Sequence, residues 1–95
     1  MSKYTPGPWV IDWNVARLDI FSSDAKVLVA SLRRSAMSPA IDEAARANAR
    51  LIAAAPDLLA TLAEAHDIID AIGQPETAEV AARMRAVIAK AKGEA

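Results

Sequence analysis

Cysteine is absent from the chain, which excludes disulfides and thiolate metal sites. Glycine is scarce, and Gly7, Gly73 and Gly93 stand too far apart to form a loop that cradles phosphate. His66 is the single histidine. No apolar run approaches the ~18 residues that a bilayer crossing requires. The opening Met1-Ser2-Lys3-Tyr4-Thr5-Pro6 has no apolar stretch of the kind a secretory leader needs, so the cytosol is the expected location. An excess of one charge is missing too. Eleven Lys and Arg against twelve Asp and Glu leave a net charge of −1, without the basic face that duplex DNA phosphates demand.

What is abundant is apolar character, 54% of the 95 residues, which excludes a disordered tail. Much of it is alanine, which buries little area per residue. At roughly 25 cal/mol per Å² of apolar surface, an alanine-rich core is a weak one. Residues 1–95 are therefore read as one small domain that a second copy would help to stabilise, giving a homo-oligomer.

Two prolines in Thr5-Pro6-Gly7-Pro8 remove amide donors, so the chain starts as an extended lead-in or a turn. Residues 9–13 (WVIDW) place Trp9, Ile11 and Trp13 on one side of a strand, and Asn14 suits a turn. Residues 15–21 alternate, with Ala16, Leu18 and Ile20 facing one way and Arg17 and Asp19 the other. Ser22-Ser23-Asp24-Ala25 reads as a hairpin loop and residues 26–32 as the returning strand. After a loop over residues 33–37, Ser38-Pro39 starts a helix that runs to about Ala55. Its apolar stripe is read as Ile41, Ala44, Ala45, Leu51, Ile52 and Ala55, with Asn48 in the middle. Pro56 ends that helix and opens the next, whose stripe is Leu58, Leu59, Leu62, Ala65, Ile69 and Ile72, up to Gly73. A third helix over residues 75–91 turns Val80, Met84, Val87 and Ile88 inward. The expected fold class is α+β: an antiparallel β-meander of two or three strands over residues 8–32, packed on about three helices over residues 38–92.

His66 and Asp70 sit on neighbouring helical turns and could share a metal, but structural sites want four ligands. A solvated acidic face with a boundary histidine is the preferred reading, with no metal and no cofactor. The carboxylates of Asp57, Glu64, Asp67, Asp70, Glu76 and Glu79 are spread over faces read as exposed, where acid–base catalysis is not supported. With no Ser-His-Asp set either, the chain is read as a non-enzyme. A buried Asn48 would need a hydrogen-bonded partner, or would edge a pocket beside Arg50. Arg33, Arg34, Arg46 and Arg50 could form one basic patch, opposite an acidic run over residues 57–79 that has no Lys or Arg. Trp9 and Trp13 are read as core anchors rather than base-stacking platforms.

Thr5-Pro6-Gly7-Pro8-Trp9 and residues 48–59 (NARLIAAAPDLL) together resemble a widespread family of small phage and prophage accessory proteins, across about the first two thirds of the chain. That family carries TPGPW, a few strands and an (N/D)ARLIAAAPELL helix–Pro–helix. The sequence departs from it at Ser22-Ser23-Asp24-Ala25, where the resemblance would place an Asp-Gly turn. The resemblance implies a bacterial host cytosol and stoichiometric binding, with a role in counter-defence.

Two binding readings and one bland one follow. The layout is similar to that of anti-Thoeris sponge proteins, implying an oligomer that sequesters a small anionic nucleotide through Arg33, Arg34, Asn48 and Arg50, with Trp13 or Phe21 stacking on a base. The alternative is an inhibitor of a host defence protein, of the anti-CRISPR kind, acting through Asp57, Glu64, Asp67 and Asp70. The bland reading is a structural adaptor without ligand.

Overall fold

A computed structural model describes residues 4–35 and 37–94. The leaderless reading of residues 1–3, and residue 36 of the expected loop, lie outside them. The contacts group the chain into two compact units, Thr5–Pro56 and a second made chiefly of Asp57–Ala95.

In the first unit, β1 (Trp9–Trp13), β2 (Arg17–Ser22) and β3 (Leu28–Arg33) form an antiparallel sheet in that order, the expected meander with three strands. Alternation puts Trp9, Ile11, Leu18, Ile20, Ala30 and Leu32 on the face that packs under α1 (Pro39–Ala53). Leu18 and Ile20 are fully buried there. The third strand begins two residues later than the alternation suggests, because the turn uses Lys26 and Val27. Lys26 N–H donates to Asp24 Oδ1 at 3.1 Å, and Val27 N–H to Ser22 Oγ at 3.1 Å. The strand also runs one residue further, so Arg33 is strand rather than loop. The ladder shifts between Ile20 and Phe21, which pair with Ala30 and Leu28, leaving Val29 as an extra residue.

The helix start is as the capping residues dictate. Ser38 accepts from Ile41 N–H, Pro39 takes the first position and Asp42 lies in the first turn. The buried face, however, matches the expected stripe only in part, at Ala45 and Ile52. Ala45 and Ala49 are the buried residues, flanked by Ile52 and Ala53, while Ile41 and Leu51 are 60% and 63% exposed. Asn48 is exposed rather than central to the stripe. The cause is steric. The sheet offers the large side chains Leu18 and Ile20, and only a helix face of methyl groups can approach them closely. Large residues carry most weight in a periodicity reading, so alanine determined a phase that the leucine and isoleucines concealed.

At the far end of α1, the one residue Ala54 separates it from α2 (Ala55–Ile72), with Pro56 in the first turn where no helical donor is lost. Gly7 lies against that corner. A methyl group on Gly7 would stand 2.6 Å from Pro56 Cβ, so glycine is required by the close approach. The two sequence segments that carried the family resemblance thus meet in space.

The second unit holds most of α2, a 3₁₀ turn (Pro75–Thr77) and α3 (Ala78–Ala91). The turn replaces the first residues of the third helix as read from sequence. Ala81 is buried, and no residue of α2 is. Leu58, Ile72, Val80 and Val87, read as inward, are instead 54%, 60%, 38% and 55% exposed. Among the described residues no helix is long and apolar enough to cross a membrane.

Candidate binding surfaces

Arg34 follows β3 and is committed to holding the fold. Its Nε and Nη2 donate to the two carboxylate oxygens of Asp42 at 2.9 and 3.0 Å, and its Nη1 to the Asn14 carbonyl at 2.9 Å. A forked guanidinium on a carboxylate is the strongest common ion-pair geometry. The Arg34 hydrogen bonds hold the Asp42 carboxyl below the usual carboxylate range, with Arg46 adding to the effect. A surface depression of about 350 Å³ lined by Val15, Arg34, Ser35, Pro39 and Asp42 surrounds this pair. Its cation is already neutralised, so it offers an anion little.

Arg33 ends β3 directly across from Arg17 of β2. By strand alternation both lie on the sheet face turned away from α1, as does Phe21. That face also carries Asp19, which is 5% exposed. Asp19 accepts from Ser31 Oγ at 2.6 Å and Arg17 Nε at 3.0 Å. The Ser31 bond, with Arg17 behind it, keeps the Asp19 carboxyl low. Alternation alone placed Asp19 on the solvent side; only the ladder, by bringing Ser31 alongside, reveals it as a buried acceptor.

Of the six residues read as a nucleotide site, the fold brings two together. The Arg50 guanidinium lies over the Trp13 ring, 5.3 Å from its centroid. Trp13 is 48% exposed, so it is no core anchor. Trp9 is half-buried and donates its indole N–H to the Thr5 carbonyl at 3.0 Å, as an anchor should. Arg50 makes no ion pair among the described residues. Arg46, one turn earlier, is 3.5 Å from Asp42. Asn48 lies two positions from Arg50, roughly 200° around the helix, and takes no part. The expected single basic patch of Arg33, Arg34, Arg46 and Arg50 is therefore divided between a structural pair, the outer sheet face and α1.

The residues of the acidic reading fare differently. Asp57, Glu64, Asp67 and Asp70 are all exposed on α2, which carries no Lys or Arg. Arg85 of α3 comes within 3.7 Å of Asp70. His66 is turned inward, its side chain 14% exposed, with Nδ1 3.4 Å from Asp67 Oδ1. Its Nε2 is buried without a hydrogen-bond partner among the described residues. No three His, Cys, Asp or Glu side chains gather there as a metal site would need.

Compared with known proteins, residues 1–95 match the model of one family, described as Salmonella phage P22 protein Y8K6. No curated protein and no solved structure matches the chain.

Proposed function

Because the chain belongs to the family of the Salmonella phage P22 protein Y8K6, and so has a phage accessory role, we propose that it acts without catalysis, by stoichiometric capture of a small anionic nucleotide signal of host defence. The observation that carries this reading is Arg50, held over the half-exposed ring of Trp13 and without a carboxylate partner among the described residues. A guanidinium pinned on an aromatic ring loses less freedom when a phosphate arrives, and its outer face offers a stacking plane for a base. Arg33, Arg34, Asn48 and Phe21 are outside this pair and are not assigned to it.

Native mass spectrometry of the untagged protein with cyclic and linear nucleotides tests the reading. A bound nucleotide that Arg50→Glu and Trp13→Ala both abolish, and Asn48→Ala leaves, supports it. A protein that takes up none of the panel, or binding indifferent to Arg50→Glu, overturns it.

A second reading, inhibition of a host defence protein, draws on the exposed Asp57, Glu64, Asp67 and Asp70. A basic host groove would recognise such a helix by charge. Asp67→Lys with Asp70→Lys should then abolish protection of phage in challenged cells, while Arg50→Glu should not.

A further inference from the structure

After the 3₁₀ turn α3 folds back beside α2, with Arg85 at 3.7 Å from Asp70 and a groove of about 210 Å³ lined by Ile69, Gly73, Pro75 and Ala81 at the bend. The apolar sector of each helix is wider than the part it buries. At 100° per residue, Leu58, Ala65, Ile68 and Ile72 share a sector of about 80° on α2, and Val80, Met84, Val87 and Ala91 one of about 60° on α3. Leu58, Ile68, Ile72 and Val87 are 54%, 57%, 60% and 55% exposed. Seen along a common axis, two antiparallel right-handed helices turn in opposite senses, and both sectors fall on the same side of the hairpin. The outer edge of the α2 sector is bordered by Asp57 and Glu64, and that of the α3 sector by Arg83 and Lys90. All four are exposed, and none forms an ion pair among the described residues.

We propose that this face binds a second copy of the chain, hairpin on hairpin, as an antiparallel four-helix bundle whose two-fold axis runs parallel to the helices. That axis lays α2 of one copy over α3 of the other. Asp57 and Glu64 then meet Lys90 and Arg83 of the second copy, once at each edge of the interface. The other two-fold in the same plane, perpendicular to the helices, stacks α2 on α2 and sets carboxylates against carboxylates. The charge pattern selects the first, and a surface that is acidic on one helix and basic on the next is complementary to itself. The area suffices. A helix of this length is about 27 Å long and a pair is about 20 Å wide, so the two copies cover roughly 1,000 Å² between them, near the lower limit for a specific interface. This assignment is independent of any nucleotide bound at Trp13 and Arg50.

Sedimentation equilibrium of the full chain reads the result, with circular dichroism confirming that each variant stays helical. The expected result is a dimer with a dissociation constant of order micromolar, weakened at least about tenfold by Ile68→Glu or Val87→Glu. Val10→Glu on the sheet should leave it unchanged. Glu64→Arg and Arg83→Glu should each weaken the dimer, and together should restore it, an outcome that keeps the test decisive if an apolar-face variant unfolds. A chain that stays monomeric at about 100 µM overturns the proposal, because contacts of this size should associate there. So does a dimer indifferent to both Ile68→Glu and the Glu64/Arg83 charge swap.

Discussion

Three single residues show how closely local geometry limits what the chain tolerates. Gly7 meets the Pro56 ring, and a Cβ there would stand 2.6 Å from a rigid ring carbon that cannot rotate away. Gly7→Ala should cost about 1–3 kcal/mol through overpacking, read from the urea midpoint. Ala25 closes the β2–β3 turn at φ 61°, the left-handed region where a Cβ is strained. Relief of about 1–2 kcal/mol outweighs the roughly 0.5–1 kcal/mol of added chain entropy that glycine brings. Ala25→Gly should therefore stabilise the protein by up to about 1 kcal/mol in the same titration. Asp42, Asp19 and Asp24 share the pH dependence. All three carboxyls are held below their ordinary value, chiefly by Arg34, Ser31 and Ser22 respectively. A depressed pKa contributes stability that is complete above the unfolded value, about 3.9, and is lost as pH falls through the folded one. Acid unfolding should steepen below about pH 4, and Asp42→Asn should flatten that limb while lowering stability at neutral pH.

Among the elements, α1 shows what residue size does to a helix's orientation. Sequence periodicity predicts its existence and its start at Ser38, and reads its face only in part. Ala49 is fully buried on Leu18 and Ile20, while Asn48 is exposed. Thermal unfolding separates the two. Ala49→Leu should destabilise by about 1–3 kcal/mol, because the helix cannot retreat without uncovering the sheet. Asn48→Ala should stay within about 0.5 kcal/mol, as a surface change does. The strands were more legible than the helices because their period of two leaves one choice of face, which the alternation of Leu18 and Ile20 with Arg17 and Asp19 settles. The helices offered alanine in every direction, so the large residues Leu58, Ile72, Val80 and Val87 read as inward although they lie on exposed flanks.

For the molecule as a whole, Leu18 and Ile20 are the largest fully buried side chains among the described residues. A core this small contributes little against the entropy of ordering the chain. If the helical hairpin pairs with a second copy, folding and association are coupled. The unfolding midpoint should then rise by a few degrees over a hundredfold increase in protein concentration, and Ile68→Glu should remove that dependence, as differential scanning fluorimetry can show.

The sequence by itself determined the α+β class, an antiparallel meander of two or three strands, the capped start of α1, the Pro56 corner and the acidic face of α2. These depend on local preferences: alternation, caps, proline geometry and the spacing of charges along one element. Only the tertiary structure decided the rest. It committed Arg34 to Asp42, buried Asp19 beside Ser31, turned Asn48 outward, and joined Arg50 to Trp13 and Gly7 to Pro56. Each of these depends on a distance between residues from different elements. Such distances are set by how closely two surfaces can pack, and in an alanine-rich chain the small side chains leave that to the sheet.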